Sequence, residues 1–596
     1  MARTARSELA RRLRRAHAAA TESAVTGVPV DEVSALRAER DAAQAVQARE
    51  AAEAYAAAVD KVLERGAPED HVAKELAMMD VRRVGRREFL AGAARVAAGA
   101  AAAAVVAQAG IRPAAAATAK QPTIAIVGGG LAGLRCAHLL WTKWGWRSTV
   151  YEGSDAVGGR CETQRGYWAN GNIAEMHGEY ISSEHASMLN LVKAFNLKLD
   201  DTRAYAPGTQ DTYWVNGARY TQAQLDAEWQ STYWALFNNA VTVAPWPQRY
   251  DSYNATGRQW DLMSVPQWMD QYLPGGTTSS FGGVLLQNVI DEYGGDPSDQ
   301  SALNLTMIMG YDDSANGRGY QPADEPYLAG TDERWHVTGG NDQIVTGMVG
   351  QLPAGTVQLG RQLTAIRQNP DGTYTLTFAS GGASTQVTVQ QVVLALPFVT
   401  LRNVDFSRAG LSALKTTAID TMGMGTNAKV IVEMTGEPWI DGGYTGTTYQ
   451  DNGWISSGWQ FVQQGGYQTP TSLWTAFPGG SYTPQIVSAY RLTADAGVPP
   501  TRMVGDLLTS LEPVLPGVTN AYTGRAWYDF GLLDPLCLGG YSYWRVGQYT
   551  GFSGYEGVQE GKIHFAGEHT SADFIGFMEG AVTTGERCAG EISRNA

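Results

Sequence analysis

The chain has 596 residues, 44% hydrophobic and 17% charged, which supports a large core of two or more domain-sized units and excludes a wholly disordered protein. Its 45 Lys and Arg against 59 Asp and Glu leave a net charge of −14, the wrong sign for a protein that coats nucleic acid. Four cysteines with no C-x-x-C pair exclude a disulfide-dense scaffold and a cysteine-rich zinc site, and no metal centre is expected.

Residues 1–84 are rich in Ala, Arg and Glu and predict a solvated helical or disordered extension. Residues 85–119 read differently. Arg86-Arg87-Glu88-Phe89-Leu90 precedes an uncharged Ala-rich run from Val96 to Ile111, closed by Ala115-Ala116-Ala117-Thr118-Ala119. A basic pair, a mildly apolar segment and a small-residue site predict a twin-arginine-type export signal. An Ala-rich run inserts weakly, so cleavage is expected and a stable membrane span is not. The expected location is secreted or cell-envelope, or cytoplasmic if this internal signal is not used. A start at Met78 or Met79 would put the signal at the N-terminus.

The folded body opens at Thr123 to Val127, a β-branched run that predicts a strand. Gly128-Gly129-Gly130-Leu131-Ala132-Gly133 follows, then apolar residues at helical spacing. Gly128 permits the turn, Gly130 lets backbone approach a pyrophosphate, and Gly133 allows close helix–strand packing. Helix N-terminal amides at Leu131 and Ala132 would face the phosphates. Ser148 to Glu152 predicts a second strand, and Glu152 stands 19 residues beyond Gly133, where a carboxylate binds ribose hydroxyls.

Further blocks make the chain resemble the flavin-containing amine oxidases, the family of monoamine oxidases, polyamine oxidases and L-amino acid oxidases. They are Gly158-Gly159-Arg160, Glu175 to Ile181, Gly339-Gly340-Asn341, Val392 to Pro397, Gly425 to Val432, Gly540 to Tyr543, and His564 to Ser571 with Gly576 to Val582. The resemblance spans about residues 122 to 594. It implies an α/β fold, with a Rossmann-like, glutathione-reductase-like FAD domain at 120–200, 335–400 and 525–596. A mixed-sheet substrate domain at 201–334 and 401–524 would interleave with it.

The resemblance also implies roles. Gly128, Gly130, Leu131, Ala132, Gly133, Glu152, Gly159, Arg160, Gly567, Glu568, Phe577 and Met578 would hold FAD. Gly567 would let backbone approach the ribityl chain and Glu568 would accept from its hydroxyls. The helix opening at Phe577-Met578 would aim its amides at the flavin. Lys429, in the apolar run Ala428 to Val432, would hold a water beside the flavin; a lysine there needs a reason, because desolvating an ammonium is costly. Covalent relatives carry Cys where this chain has Tyr541, so FAD is expected to bind non-covalently. Phe577 matches one member of an aromatic cage whose partner position reads Ser542; either Tyr543 or Trp544 contributes there, or the substrate is larger than a simple arylalkylamine.

Where some relatives grip a carboxylate with Arg, this chain reads Glu179-Tyr180, which favours a cationic amine. Arg203, Arg258 or Arg334 could still meet a carboxylate. The implied reaction converts an amine to an imine and then a carbonyl, with O2 reduced to H2O2. An L-amino acid oxidase, a dehydrogenase using a carrier, and a catalytically idle FAD-binding interaction protein are the alternatives. Expected partners are a small amine and O2, with no nucleic acid; a homodimer is compatible. His564 and His569 read as structural. Gly557 to Lys562 lacks the length and the Ser or Thr of a P-loop. The aromatics from Trp229 to Trp268 read as core or pocket lining.

Overall fold

The structure, a computed structural model, describes residues 121–204, 210–312, 319–320, 331–461 and 470–594. The N-terminal extension and the export signal lie outside the described residues.

Two sheets organise the body. The first is five-stranded and parallel, in the order Val357–Gln358, Thr149–Tyr151, Ile124–Val127, Gln391–Leu394, Ile563–Phe565. Its central strand, Ile124–Val127, is buried throughout, as expected where helices cover both faces of a parallel sheet. The helix Leu131–Trp144 follows the glycine turn directly. The C-terminal helix Met578–Arg594 packs along it. Gly585 permits that approach: a Cβ there would lie 2.3 Å from the Ala132 carbonyl oxygen.

The second sheet has eight strands and is mixed. Its order is Ala496–Gly497, Tyr522–Asp529, Lys429–Thr435, Thr471–Phe477, Ser456–Gln460, Tyr444–Gln450, Gln210–Val215, Ala218–Tyr220. Strand Tyr522–Asp529 lies whole in this sheet, across the boundary expected at 524/525. Strand Asp405–Arg408 instead joins a four-stranded sheet through Gln362–Gln368, so FAD-side pairing runs past residue 400.

Between Gln222 and Gly310 the chain is helical. Trp229, Phe237, Trp268 and Phe281 are fully buried there and stack on one another. These aromatics form core, not an exposed binding surface. Each buries an apolar payload contributing on the order of 2–3 kcal/mol, which fixes the helices against the large sheet. Among the described residues, no helix is long and apolar enough to cross a membrane.

Candidate active site

One cavity of about 1280 Å³ runs from the glycine turn at Gly128 and Gly130 to the large sheet at Lys429 and Trp459. That exceeds the range of about 300–1,000 Å³ usual for drug-sized ligands, leaving room for an extended dinucleotide and a small substrate together.

At the dinucleotide end, each glycine has its own reason. Gly128 sits at φ +107, and a Cβ there would lie 2.5 Å from the Ala395 carbonyl oxygen. At Gly133 a Cβ would meet the Gly128 oxygen at 2.0 Å. Gly130 differs: its Cβ would reach nothing closer than 3.7 Å, so its open side faces the cavity. Leu131, Ala132, Gly159 and Met578 line the same space, whereas Gly133 packs behind it. Glu152 accepts from the Gly129 N–H at 2.6 Å and the Ser154 N–H at 2.8 Å. The carboxylate is thereby fixed at the turn and lines the cavity.

Glu568 lines the cavity and is held there by protein partners. Its Oε1 accepts from Arg160 at 3.0 Å and from the Ser542 hydroxyl at 3.1 Å; its Oε2 accepts from the Gly576 N–H at 2.9 Å. Although burial opposes ionisation, Arg160 leads the opposing effects that hold the carboxyl below its ordinary range. Glu568 thus ties three distant segments into one wall. Beside it, His569 is 1% exposed and stacks edge-on against Phe398 at 4.5 Å. Burial pushes its pKa down to about 3, so the imidazole is neutral. Neither ring nitrogen has a protein partner, and the residue lines the cavity. A neutral imidazole offers one donor and one acceptor; an FAD can satisfy what the protein leaves open. His564, in contrast, is the structural histidine expected, bonded to Glu591 at 2.7 Å.

At the other end, strand Lys429–Thr435 is buried on both faces until its last residue. Alternation explains it. Val430, Val432 and Met434 enter one core, while Ile431 packs with Trp168, Ile173 and Met176 on the opposite face. Lys429 shares that second face, and the segment Glu175 to Tyr180 lies against it. The Lys429 ammonium donates to the Glu179 carboxylate at 2.5 Å and to the Glu175 carbonyl at 2.9 Å. Two of its three donors are engaged. The Trp459 indole N–H holds the other Glu179 oxygen at 2.7 Å. Nothing in the sequence pointed to Trp459, whose strand carries no motif.

Glu175 is anchored in turn. Its Oε1 meets His336 at 2.7 Å and the Asn341 N–H at 2.9 Å; its Oε2 accepts from Thr163. Burial opposes charging of His336, but the nearby carboxylates of Asp200, 3.6 Å from Nδ1, and hydrogen-bonded Glu175 outweigh it and push its pKa up to about 9.

The expected aromatic cage is only partly assembled. Phe577, Tyr180, Ser542 and Trp544 line the cavity. Tyr543 does not: it packs beneath Gly295 and Gly423, and its hydroxyl donates to Asp299 at 2.6 Å. The reason is the short pairing of Gly423–Met424 with Ser542–Tyr543, in which successive side chains face opposite ways. Tyr541 occupies the cavity wall instead and donates its hydroxyl to the Asp291 carbonyl.

Three carboxyls unremarked in the sequence line the substrate end: Asp291, Glu292 and Glu333. Burial and mutual repulsion push Glu333 up to about 8 and Glu292 well above its ordinary value; burial pushes Asp291 up to about 6. Arg334 is paired with Asp201 at 2.8 Å. Among the described residues, the arginines lining the cavity are Arg160 and Arg361, both near the dinucleotide end.

A family model described as flavin containing amine oxidoreductase matches residues 131–593. The chain belongs to that family. It is a flavoprotein oxidoreductase by that membership, and its mixed-sheet and parallel-sheet architecture is the family fold. Similar proteins include a pseudooxynicotine dehydrogenase of Pseudomonas sp, 23% identical over 78% of this chain and 85% of that protein. A putative L-amino-acid oxidase of Bacillus subtilis is 22% identical over 79% of this chain and 94% of its own length. Among solved structures, cyclohexylamine oxidase from Brevibacterium oxydans superposes with a TM-score of 0.66 at 21% identity, covering 80% of this chain and 99% of that one.

Proposed function

We propose that this flavoenzyme binds FAD non-covalently and oxidises a cationic amine to an imine, with O2 reduced to H2O2. One observation carries the choice of substrate: every described charged side chain lining the substrate end is a carboxyl, apart from Lys429, which Glu179 already pairs. A carboxylate substrate would meet Asp291, Glu292 and Glu333 without a bidentate arginine. An ammonium would favour the ionised forms of Glu292 and Glu333, which burial and mutual repulsion otherwise keep protonated near pH 7. A diamine or polyamine suits the three carboxyls better than an amine of single charge.

Glu179 is part of the reaction centre more than a free counter-ion, because Lys429 and Trp459 take both its oxygens. The third Lys429 donor is the one available to hold a water. The flavin, when bound, supplies the two-electron chemistry at the carbon beside the substrate nitrogen. The protein's part is to orient that carbon, shed the ammonium proton and exclude bulk water.

The names of the relatives span a dehydrogenase, an amine oxidase and a putative L-amino-acid oxidase, so an amino acid substrate is the second reading. The test is anaerobic mixing of the purified protein with diamines, monoamines and L-amino acids, following flavin absorbance. Bleaching by diamines ahead of amino acids supports the proposal. Bleaching by amino acids alone replaces it with the second reading, and bleaching by none removes the enzymatic claim for these classes. Export by the twin-arginine route is proposed on the sequence signal alone.

A further inference from the structure

We propose that Asp529, with His177 beside it, is the proton acceptor of this cavity and takes the proton that a substrate ammonium must lose before oxidation. The proposal rests on the amine-oxidation reading. It starts from register. Lys429 and Asp529 are direct partners in the antiparallel pairing of Lys429–Thr435 with Tyr522–Asp529. Partners of that kind project from the same face of a sheet. Asp529 therefore stands beside the lysine at the reaction centre, and both residues line the cavity. Its Oδ1 lies 3.8 Å from His177 Nδ1, and His177 lines the cavity too.

Asp291 and Glu333, shifted to about 6 and about 8, line the same cavity but are not strand partners of Lys429; the other groups beside the lysine are less suited. Glu179 has both oxygens held, by Lys429 and Trp459. His177 is pushed down to about 4, chiefly by burial, and is neutral near pH 7. Asp529 is different. Burial raises it, Asp495 and Asp534 raise it further, Lys429 opposes them, and the result is about 7. A base poised near the working pH is the efficient one. Glu162 interacts electrostatically with His177, and Glu162, Asp495 and Asp534 all line the cavity. Glu162 and Asp495 are exposed and in contact with solvent.

The transfer balances. An N–H bond of the substrate ammonium breaks and its electron pair stays on nitrogen. The proton forms an O–H bond on Asp529, so a cation and an anion become two neutral groups. A buried cavity favours that change, because it removes two desolvated charges. The neutral amine then has the lone pair that oxidation of the adjacent C–H requires.

The experiment uses the holoenzyme and Asp529→Asn, with Asp529→Glu as the conservative rescue. The limiting rate of anaerobic flavin reduction is followed from pH 5.5 to 9 with saturating putrescine and with benzylamine. Only the ionised carboxyl accepts a proton, so the wild-type rate should rise as pH passes through about 7. Asp529→Asn should be slower by roughly 10²–10⁴-fold and lack that rise, while Asp529→Glu recovers part of both. A second readout needs no amine: the absorbance of bound flavin in the wild type should shift near pH 7, and in Asp529→Asn it should not. An unchanged rate and rise in Asp529→Asn overturns the proposal. So does an identical spectral titration in the two proteins. Bleaching by neither amine would count against the amine reading and, with it, this role for Asp529; the spectral titration would still show separately whether Asp529 ionises beside the flavin.

Discussion

Lys429 and Glu179 form a buried ion pair at 2.5 Å inside the cavity, with side chains 4% and 7% exposed. The pair joins a strand of the large sheet to a loop that begins beside the dinucleotide site. Taking both charges out of water is costly, and removing one partner leaves the other uncompensated. Glu179→Gln should therefore cost roughly 3–5 kcal/mol of stability and slow flavin reduction. Trp459→Phe removes only a donor to Glu179 and should cost about 1–3 kcal/mol. Thermal denaturation of the holoproteins checks both; equal midpoints in wild type and Glu179→Gln would contradict the buried pair.

The flavin should leave the protein on acid precipitation, with all the yellow colour in the supernatant. The linkage position of covalent relatives is Tyr541 here. Cys537 is no substitute: it is buried, burial pushes its thiol up to about 11, and it donates to the Gly539 carbonyl at 3.0 Å. Colour retained in the pellet would refute non-covalent binding.

Glu152→Ala should weaken FAD binding about tenfold to a hundredfold, the worth of a charge-assisted hydrogen bond of roughly 1.5–3 kcal/mol. Two backbone amides lose their acceptor at the same turn, so the loop that meets the pyrophosphate loosens as well. Flavin retention through dialysis is the measurement. Retention equal to wild type would count against the assignment.

His336 gives a pH prediction. Its folded pKa is raised to about 9 against about 6.5 when unfolded. The folded state therefore binds the extra proton, and the stabilisation is fully present below about pH 6.5. It is lost as pH rises through about 9. Denaturant midpoints should fall between pH 6.5 and 9.5 in the wild type and fall less in His336→Gln. Parallel declines would show that the Glu175–His336 contact does not hold this charge.

The dinucleotide end was legible because its chemistry is local. Gly128, Gly133 and Glu152 lie within 25 residues of one another, and each meets a steric or hydrogen-bonding demand set by its neighbours. Lys429 was legible for a related reason, as a charge in an apolar strand. Its surroundings were not. Glu179, Trp459 and Asp529 reach it from segments 250, 30 and 100 residues away; sheet register brings Trp459 and Asp529 alongside, and a loop carries Glu179. Tyr543 shows the same limit in reverse: a residue inside a matching block faces away because a two-residue strand turns it. The carboxyls Asp291, Glu292 and Glu333 carry no motif, and their shifted ionisation arises from a cavity that exists only once the chain is folded.

The most direct test of the reaction centre is stopped-flow measurement of Lys429→Met, with the reductive and oxidative half-reactions followed separately. Met fills a similar volume but leaves Glu179 unpaired, so stability should fall as in Glu179→Gln, and the rates are compared in protein that retains flavin. Reduction by amine, reoxidation by oxygen, or both should slow by roughly tenfold to ten-thousandfold, the range for loss of a proton-transfer or electrostatic group. Wild-type rates in both half-reactions, with flavin bound, would contradict the account and leave Lys429 a structural residue of its strand.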